Sequence, residues 1–342
     1  MASPRVSVCI PTHNRPDDLR EAIAGILSGT EQNFEIVVSD DADSQATRKV
    51  VEDFHDPRIR YLKCAVPRIE ANWSNAIKNA TAPYAFKLDD DDRIEAGFLK
   101  TCCDFLDAHP DVAIVFTGYQ YFRGGEYEFD VIDRHNFKTG IVNGFVYGSN
   151  LLLGKIYFRN HKSAGVFRMR SAERIDYFNR ATVDVIFTAA IAATGNVGYV
   201  AEPLFQYRYP DKPGEFGKGH EGISRRPLTM LLGSIRELFT LEVVRSQPQW
   251  AALEKSSGRM IEGAAIRYIA SNFGSRNRSQ GLAMVELVYQ IEPPLKQSPS
   301  FQRSLKLIRL FSLFPPRCYM RLLDLYAESP RLQRFVSKLI GR

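Results

Sequence analysis

The sequence predicts an α/β protein: a mostly parallel sheet flanked by helices, followed by a C-terminal helical extension. Three observations carry that prediction. Short runs rich in Val, Ile and Phe alternate with helix-periodic segments over the first third of the chain, the pattern of βαβ units. Two of those runs end in acidic clusters, Asp40-Asp41 and Asp89-Asp90-Asp91-Asp92. Beyond about residue 228 strand signals stop, and helical segments broken by prolines take over.

The elements follow in order. Val6, Val8 and Ile10 mark a first strand. Pro11 to Pro16 form a loop, and Asp17 and Asp18 suit the first turn of a helix carrying Leu19, Ile23, Ile26 and Leu27. Residues 34–38 are a second strand, 59–62 a third and 84–88 a fourth, with helices between them around Val50, Val51 and Phe54 and over 70–80. A helix to about Ala108 precedes the strand Val112-Ala113-Ile114-Val115-Phe116. Cys102 and Phe98 share one face of that helix and read as core. From 119 to 153 the pattern turns aromatic: Tyr119, Tyr121, Phe122, Tyr127 and Phe129 alternate with polar residues, as in antiparallel strands. Residues 164–169 read as another strand, and 180–193 as a helix containing Asp184. Asn160, His161 and Ser163 read equally as loop polar residues or acceptor contacts.

Bulk properties bound the function. At 342 residues the chain holds one large or two modest domains. With 44% hydrophobic and 25% charged residues it has ordinary globular composition. Its five cysteines (Cys9, Cys64, Cys102, Cys103 and Cys318) show no paired spacing, which argues against a disulfide framework or zinc site. Residues 5–10 are already strand-like, with no apolar leader before them, and no charge-free apolar run spans a bilayer. A soluble cytoplasmic protein is the expectation.

The acidic clusters carry the chemistry. Adjacent like charges repel, so folding alone does not favour four consecutive aspartates. A hard divalent cation reverses that by taking oxygen ligands. In open α/β sheets, ligands sit at the carboxyl ends of the strands, where both clusters fall. The competing reading of Asp89–Asp92 is a solvated turn with Asp92 as N-cap of a helix over 94–106. Asp184 also has two readings. An unpaired carboxylate in apolar surroundings is costly unless used, but a first-turn aspartate also complements the helix dipole. Asn72 reads as a helix cap or a ligand contact, and His13 as a loop residue without a special role.

Val6-Ser7-Val8-Cys9-Ile10-Pro11-Thr12-His13-Asn14-Arg15, then Ile36-Val37-Val38-Ser39-Asp40-Asp41, then Leu88-Asp89-Asp90-Asp91-Asp92 together resemble the family 2 glycosyltransferases, which have an inverting mechanism and a Rossmann-type GT-A fold. The resemblance implies a nucleoside diphosphate sugar donor, UDP- or dTDP-type, and a divalent metal, Mn²⁺ or Mg²⁺, at an Asp-x-Asp element. It implies donor contacts from Pro11, Thr12, Asn14, Arg15, Asp41, Arg68, Asp89 and Asp90. It makes Asp91 the leading metal ligand, aided by Asp89, and Asp184 the general base. The chain departs from the family pattern at Ala42-Asp43, at Asp90 where Ser is frequent, and at Val183-Asp184 where Glu-Asp is usual.

Residues 210–226 are rich in Gly, Pro and Lys and follow Tyr207-Arg208. There His220 reads as a metal ligand or diphosphate contact, and Lys218, Arg225 and Arg226 as phosphate partners; a plain surface loop fits equally. Helical segments are expected over 228–245, 249–272, 278–291, 301–312 and 315–340. Across 301–342, nine Lys and Arg stand against two acidic residues, interleaved with apolar ones. That suits peripheral contact with an anionic membrane, beside a lipid-linked acceptor; a lid or a homo-oligomer contact fits as well. No nucleic-acid-binding motif accompanies the charge.

The expected organisation is a glycosyltransferase domain over 1–225, with a donor half (1–118) and an acceptor half (119–225), and a helical region over 226–342. The expected activity is metal-dependent, inverting transfer of a sugar to a hydroxyl of a sugar or lipid-linked glycan in cell-surface polysaccharide or glycoconjugate synthesis. Its rivals are a nucleotidyltransferase, which would want a glycine-rich phosphate loop that Pro11–Arg15 lacks, and a non-catalytic nucleotide-sugar-binding scaffold.

Overall fold

The computed structural model describes residues 3–43, 45–123, 126–131, 138–153, 165–176, 184–208, 225–275 and 278–311. Contacts divide the chain into two compact units, one of residues 1–211 with 237–255 and one of 212–236 with 256–342.

The first unit is built on one sheet. Its strands are β1 (Val6–Thr12), β2 (Phe34–Asp40), β3 (Ile59–Lys63), β4 (Tyr84–Lys87), β5 (Arg93–Ile94), β6 (Val112–Arg123), β7 (Glu126–Val131), β8 (Gly140–Val142), β9 (Gly165–Arg168) and β10 (Asn196–Arg208). The order is β3-β2-β1-β4-β9-β6-β10-β5, with β7 on β6 and β8 on β10. β3, β2, β1 and β4 run parallel, as do β6 and β10, whereas β9 enters antiparallel between β4 and β6. The strand order reverses at β1, which lies between β2 and β4. In such sheets the crevice at that switch point, outside the carboxyl ends, is where ligands bind.

Helices α1 (Pro16–Leu27), α2 (Ala46–Asp53), α3 (Ile69–Lys78) and α4 (Phe98–Ala108) make the crossovers of the donor half. Val6, Val8, Ile10, Ile36, Val38 and Phe86 are fully buried beneath them. Burial on both faces explains why these strands read as continuous apolar runs. Phe86, Phe98 and Phe205 meet at centroid distances of 4.7–6.4 Å and join β4, α4 and β10. The aromatic stretch after Tyr119 is the expected hairpin: β6 and β7 pair antiparallel, Tyr121 opposite Phe129.

One expectation is overturned here. Asp92 caps no helix, because α4 starts at Phe98 after Gly97. Arg93 and Ile94 instead pair antiparallel with Gln206 and Phe205 of β10. Tertiary pairing wins over the local helical signal, and the acidic run becomes a tight turn between two strands.

Later elements of this unit are α5 (Gly144–Leu152), α6 (Met169–Arg174), α7 (Asp184–Ala192), α9 (Glu242–Arg245) and α10 (Pro248–Glu254). Trp250 of α10 is fully buried against α5. A Cβ on Gly148 would stand 2.5 Å from its ring, so only glycine fits there. Gln247 donates to the Ala193 carbonyl at 2.7 Å and ties this segment to the end of α7.

The second unit takes most of α8 (Arg225–Leu238), then α11 (Ser257–Ser275), α12 (Arg278–Ile291), a 3₁₀ turn (Pro293–Gln297) and α13 (Pro299–Phe311). Ser298 caps α13, its hydroxyl accepting from Phe301 N–H at 3.2 Å, with Pro299 at the first helical position. α13 buries Phe301, Leu305, Leu307 and Ile308 and exposes Arg303, Lys306 and Arg309. The helix expected over 315–340 lies outside the described residues, as does Cys318. Among the described residues the four cysteines are buried and free, and no helix is long and apolar enough to cross a membrane.

Candidate functional site

The site forms where β1, β2 and β4 end. Main-chain pairing between β1 and β4 closes with Leu88 N–H donating to the Cys9 carbonyl at 3.0 Å. The next residue of β1 facing that side is Pro11, which has no N–H to offer. β4 is therefore free to turn away, and its continuation is the run Asp89–Asp92. Asn14 takes a left-handed conformation (φ 53°), which asparagine tolerates better than most residues. That turn lets the chain leave β1 and enter α1 at Pro16.

The first loop and the acidic turn are bonded together. Thr12 Oγ1 donates to Asp90 Oδ2 at 2.7 Å, and Arg15 Nη1 lies 2.9 Å from both Asp90 Oδ1 and Asp91 Oδ2. Asn72 is buried, not a surface cap. Its amide donates to the Thr12 carbonyl at 3.0 Å and its oxygen accepts from Ser39 at 2.5 Å. The ends of β1 and β2 are thereby fixed to α3.

The other acidic loop differs. Asp40 is fully buried, accepting from Ala42 N–H at 2.9 Å and from the Tyr61 hydroxyl at 3.1 Å. Burial, with the Asp40 charge adding to it, pushes the Tyr61 phenol up to about 12. Asp41 lies 2.8 Å from His13 Nδ1 through one oxygen. His13 is thus a partner of Asp41, a role its loop position did not suggest.

Electrostatics sharpen the contrast. Burial pushes the Asp90 carboxyl up to about 6, against the pull of Arg15. Burial also raises Asp91. It raises Asp92 well above its ordinary value, with the charges of Asp89 and Asp91 adding to the rise. One oxygen of Asp92, Oδ2, is buried without a hydrogen-bond partner. Lys87, buried in β4, donates to Asp89 Oδ1 at 2.8 Å and lies 3.8 Å from the centre of the Trp73 ring.

These residues fit a divalent cation. The donors are hard carboxylate oxygens, crowded and partly desolvated, the condition a cation relieves. Among the described residues no three acidic, His or Cys side chains converge as a ready cage. Mg²⁺-type sites in phosphate chemistry use one or two carboxylates and complete the shell with phosphate and water. Asp91 retains a third of its side-chain exposure and can be reached.

The remaining expected residues are distributed as follows. Arg68 is exposed at the N-cap position of α3, on a loop that starts where Cys64 N–H donates to the Asp40 carbonyl at 2.8 Å. Asp184 is the first residue of α7, and its side chain lies outside what the structure describes. His220, Lys218, Asn160, His161 and Ser163 also lie outside the described residues. Sequence reasoning gave no role to Lys87, Glu21 or Arg208, all of which contact or brace the acidic turn. For Lys87 the signal was available: a lone cation in an apolar strand must be paired.

The chain is similar to known proteins in part of its sequence and in its fold. The family model described as glycosyl transferase family 2 matches residues 7–174, just under half of the chain. The chain is 35% identical over 102 residues to the GalNAc(5)-diNAcBac-PP-undecaprenol beta-1,3-glucosyltransferase of Campylobacter jejuni, covering 29% of this chain and 33% of that protein. It is 34% identical over 88 residues to the UDP-Glc:alpha-D-GlcNAc-diphosphoundecaprenol beta-1,3-glucosyltransferase WfgD of Escherichia coli, covering 25% of this chain and 35% of that protein. The matches thus span about a third of each relative's length. Among solved structures, S. aureus TarS 1-349 in complex with UDP-GlcNAc superimposes with a TM-score of 0.51 at 15% identity, over 86% of this chain and 92% of that one. At that identity the likeness is one of fold, and the fold is GT-A. Residues 7–174 thus match glycosyl transferase family 2.

Proposed function

We propose that the protein transfers a sugar from a uridine- or thymidine-type nucleoside diphosphate sugar to a hydroxyl of a lipid-linked glycan, with inversion and with a divalent cation. One observation carries the reading: the bonding of Thr12 and Arg15 to Asp90 and Asp91, which joins the first loop to the acidic turn at the switch point of the sheet. The two relatives, both named as glucosyltransferases with undecaprenol-linked substrates and one with UDP-Glc, support the donor and acceptor classes.

In this reading His13 holds one oxygen of Asp41 and leaves the other to accept from the nucleobase. Arg15 and Arg68 supply positive charge to the phosphates. Asp91 and Asp89 hold the cation, which when bound stabilises charge on the leaving diphosphate. Asp184 takes the proton of the acceptor hydroxyl. The acceptor oxygen bonds to the anomeric carbon as the carbon–oxygen bond to the diphosphate breaks, and the diphosphate leaves with the electron pair. The exposed Arg303 and Lys306 of α13 suit peripheral contact with anionic headgroups near such an acceptor.

The test is a transfer assay with labelled UDP-sugars and undecaprenyl-diphosphate-linked saccharides, comparing wild type with Asp184→Asn. Loss of about 10²-fold or more in turnover is expected for removing a general base. Full transfer by Asp184→Asn would sink the assignment of the base. Absence of transfer from any nucleotide sugar by the wild type would favour the scaffold reading.

A further inference from the structure

Arg208, the last residue of β10, touches the acidic turn twice. Its backbone N–H donates to Asp92 Oδ1 at 3.0 Å, and its Nε donates to the Asp91 carbonyl at 2.7 Å. The rest of the guanidinium is anchored elsewhere. Nη2 donates to Glu21 Oε2 of α1 at 2.6 Å and lies 3.4 Å from Asp18, and the group sits 4.7 Å from the centre of the Phe122 ring of β6. One side chain therefore ties the turn to α1, β6 and β10.

The tie falls at the residue that matters. A hydrogen bond to the Asp91 carbonyl fixes that peptide plane, and with it the direction in which the Asp91 side chain leaves the main chain. Asp92 N–H closes the turn on the Asp89 carbonyl at 3.1 Å and its Oδ1 accepts from Arg208 N–H, but its Oδ2 is buried without a partner. Nor is the arrangement an economical way to fill space. Arg93 shares Glu21 with Arg208 and stacks on the same Phe122 ring at 4.2 Å, so two like charges are held side by side. The planar guanidinium serves the carbonyl through Nε and Glu21 through Nη2 in one fixed geometry, which a compact lysine ammonium does not reproduce.

We propose that Arg208 is a positioning residue: braced by Glu21, it sets the backbone of Asp91 so that the carboxylate is presented to the divalent cation. The proposal rests on the reading of Asp91 as metal ligand. Partners that orient metal ligands typically change metal affinity by about 10- to 100-fold when removed.

The test measures Mn²⁺ affinity, by electron paramagnetic resonance of the free ion at saturating UDP, in Arg208→Met, Arg208→Lys and Glu21→Gln. Circular dichroism checks the fold, and Arg20→Ala on the same helix is a charge-loss control. Arg208→Met is expected to bind Mn²⁺ about tenfold or more weakly, with UDP affinity in EDTA unchanged. Arg208→Lys recovers only part of the loss, Glu21→Gln weakens Mn²⁺ binding by a smaller factor, and Arg20→Ala behaves as wild type. Wild-type Mn²⁺ affinity in folded Arg208→Met would overturn the role and leave the donor site standing. If Arg208→Met does not fold, unchanged Mn²⁺ affinity in Glu21→Gln overturns it instead. A wild-type protein that binds no Mn²⁺ with UDP would overturn the donor-site reading, and this role with it.

Discussion

The two acidic loops look alike in sequence and differ in physics. Asp40 has neutral donors on both oxygens, the Ala42 amide and the Tyr61 hydroxyl, and is fully buried. Such a carboxylate works as a structural acceptor that pins the end of β2. The Asp89–Asp92 turn has the opposite balance. Its neighbours are cations, its members repel one another, and Asp90, Asp91 and Asp92 are all raised. Asp40 is satisfied by the protein; the second loop keeps an excess of negative charge, which the proposed cation would neutralise.

That comparison can be broken by substitution, starting where the effect is largest. Asp91→Ala is expected to lower turnover by about 10²-fold or more, the scale of losing a main electrostatic contribution, while urea unfolding moves little. A substantial loss of stability with activity intact would reverse the contrast. Asp90→Asn is expected to stabilise the metal-free protein at pH 7.5. The native carboxyl sits near 6 against about 3.9 when unfolded, a difference worth up to about 3 kcal/mol. Because the native value is the higher one, stability present below the unfolded value is lost as pH rises through about 6. The gain from Asn should therefore shrink as pH falls from 7.5 through 6 to 5, read as urea midpoints. A gain that grows on acidification would contradict the raised carboxyl.

Asp40→Ala should cost about 1–3 kcal/mol, since the buried Ala42 amide and the half-buried Tyr61 hydroxyl lose their acceptor. Metal dependence should stay as in wild type. At the small end, Arg20→Ala removes an exposed ion pair with Asp53 at 2.7 Å and should move stability by less than about 0.5 kcal/mol. A larger shift would mean that α1 charges couple to the turn more widely than through Glu21.

The same contrast explains what the sequence could reveal. The apolar strands, the helices between them and both acidic clusters were legible, because each is a run of adjacent residues with a local period. The start of α4 was not. Glu95-Ala96-Gly97 sit in a helix-like pattern, but Arg93 and Ile94 are captured by Gln206 and Phe205 of β10, more than a hundred positions away. Asn72 was ambiguous for the same reason, since its partners Thr12 and Ser39 come from two other strands. Arg208 and Glu21 stand 187 positions apart, and no spacing rule connects them. Motifs announce the groups that face a ligand; the groups that hold the motif in shape come from wherever the fold delivers them.

In the proposed function the two loops form one nucleotide site completed by a cation. The decisive experiment is calorimetric titration of the wild type and Asp91→Ala with a panel of nucleoside diphosphates, with and without Mn²⁺. The account predicts that one diphosphate binds the wild type with strong Mn²⁺ dependence, and that Asp91→Ala keeps only the metal-independent part. Binding that ignores Mn²⁺, or that survives unchanged in Asp91→Ala, would contradict it.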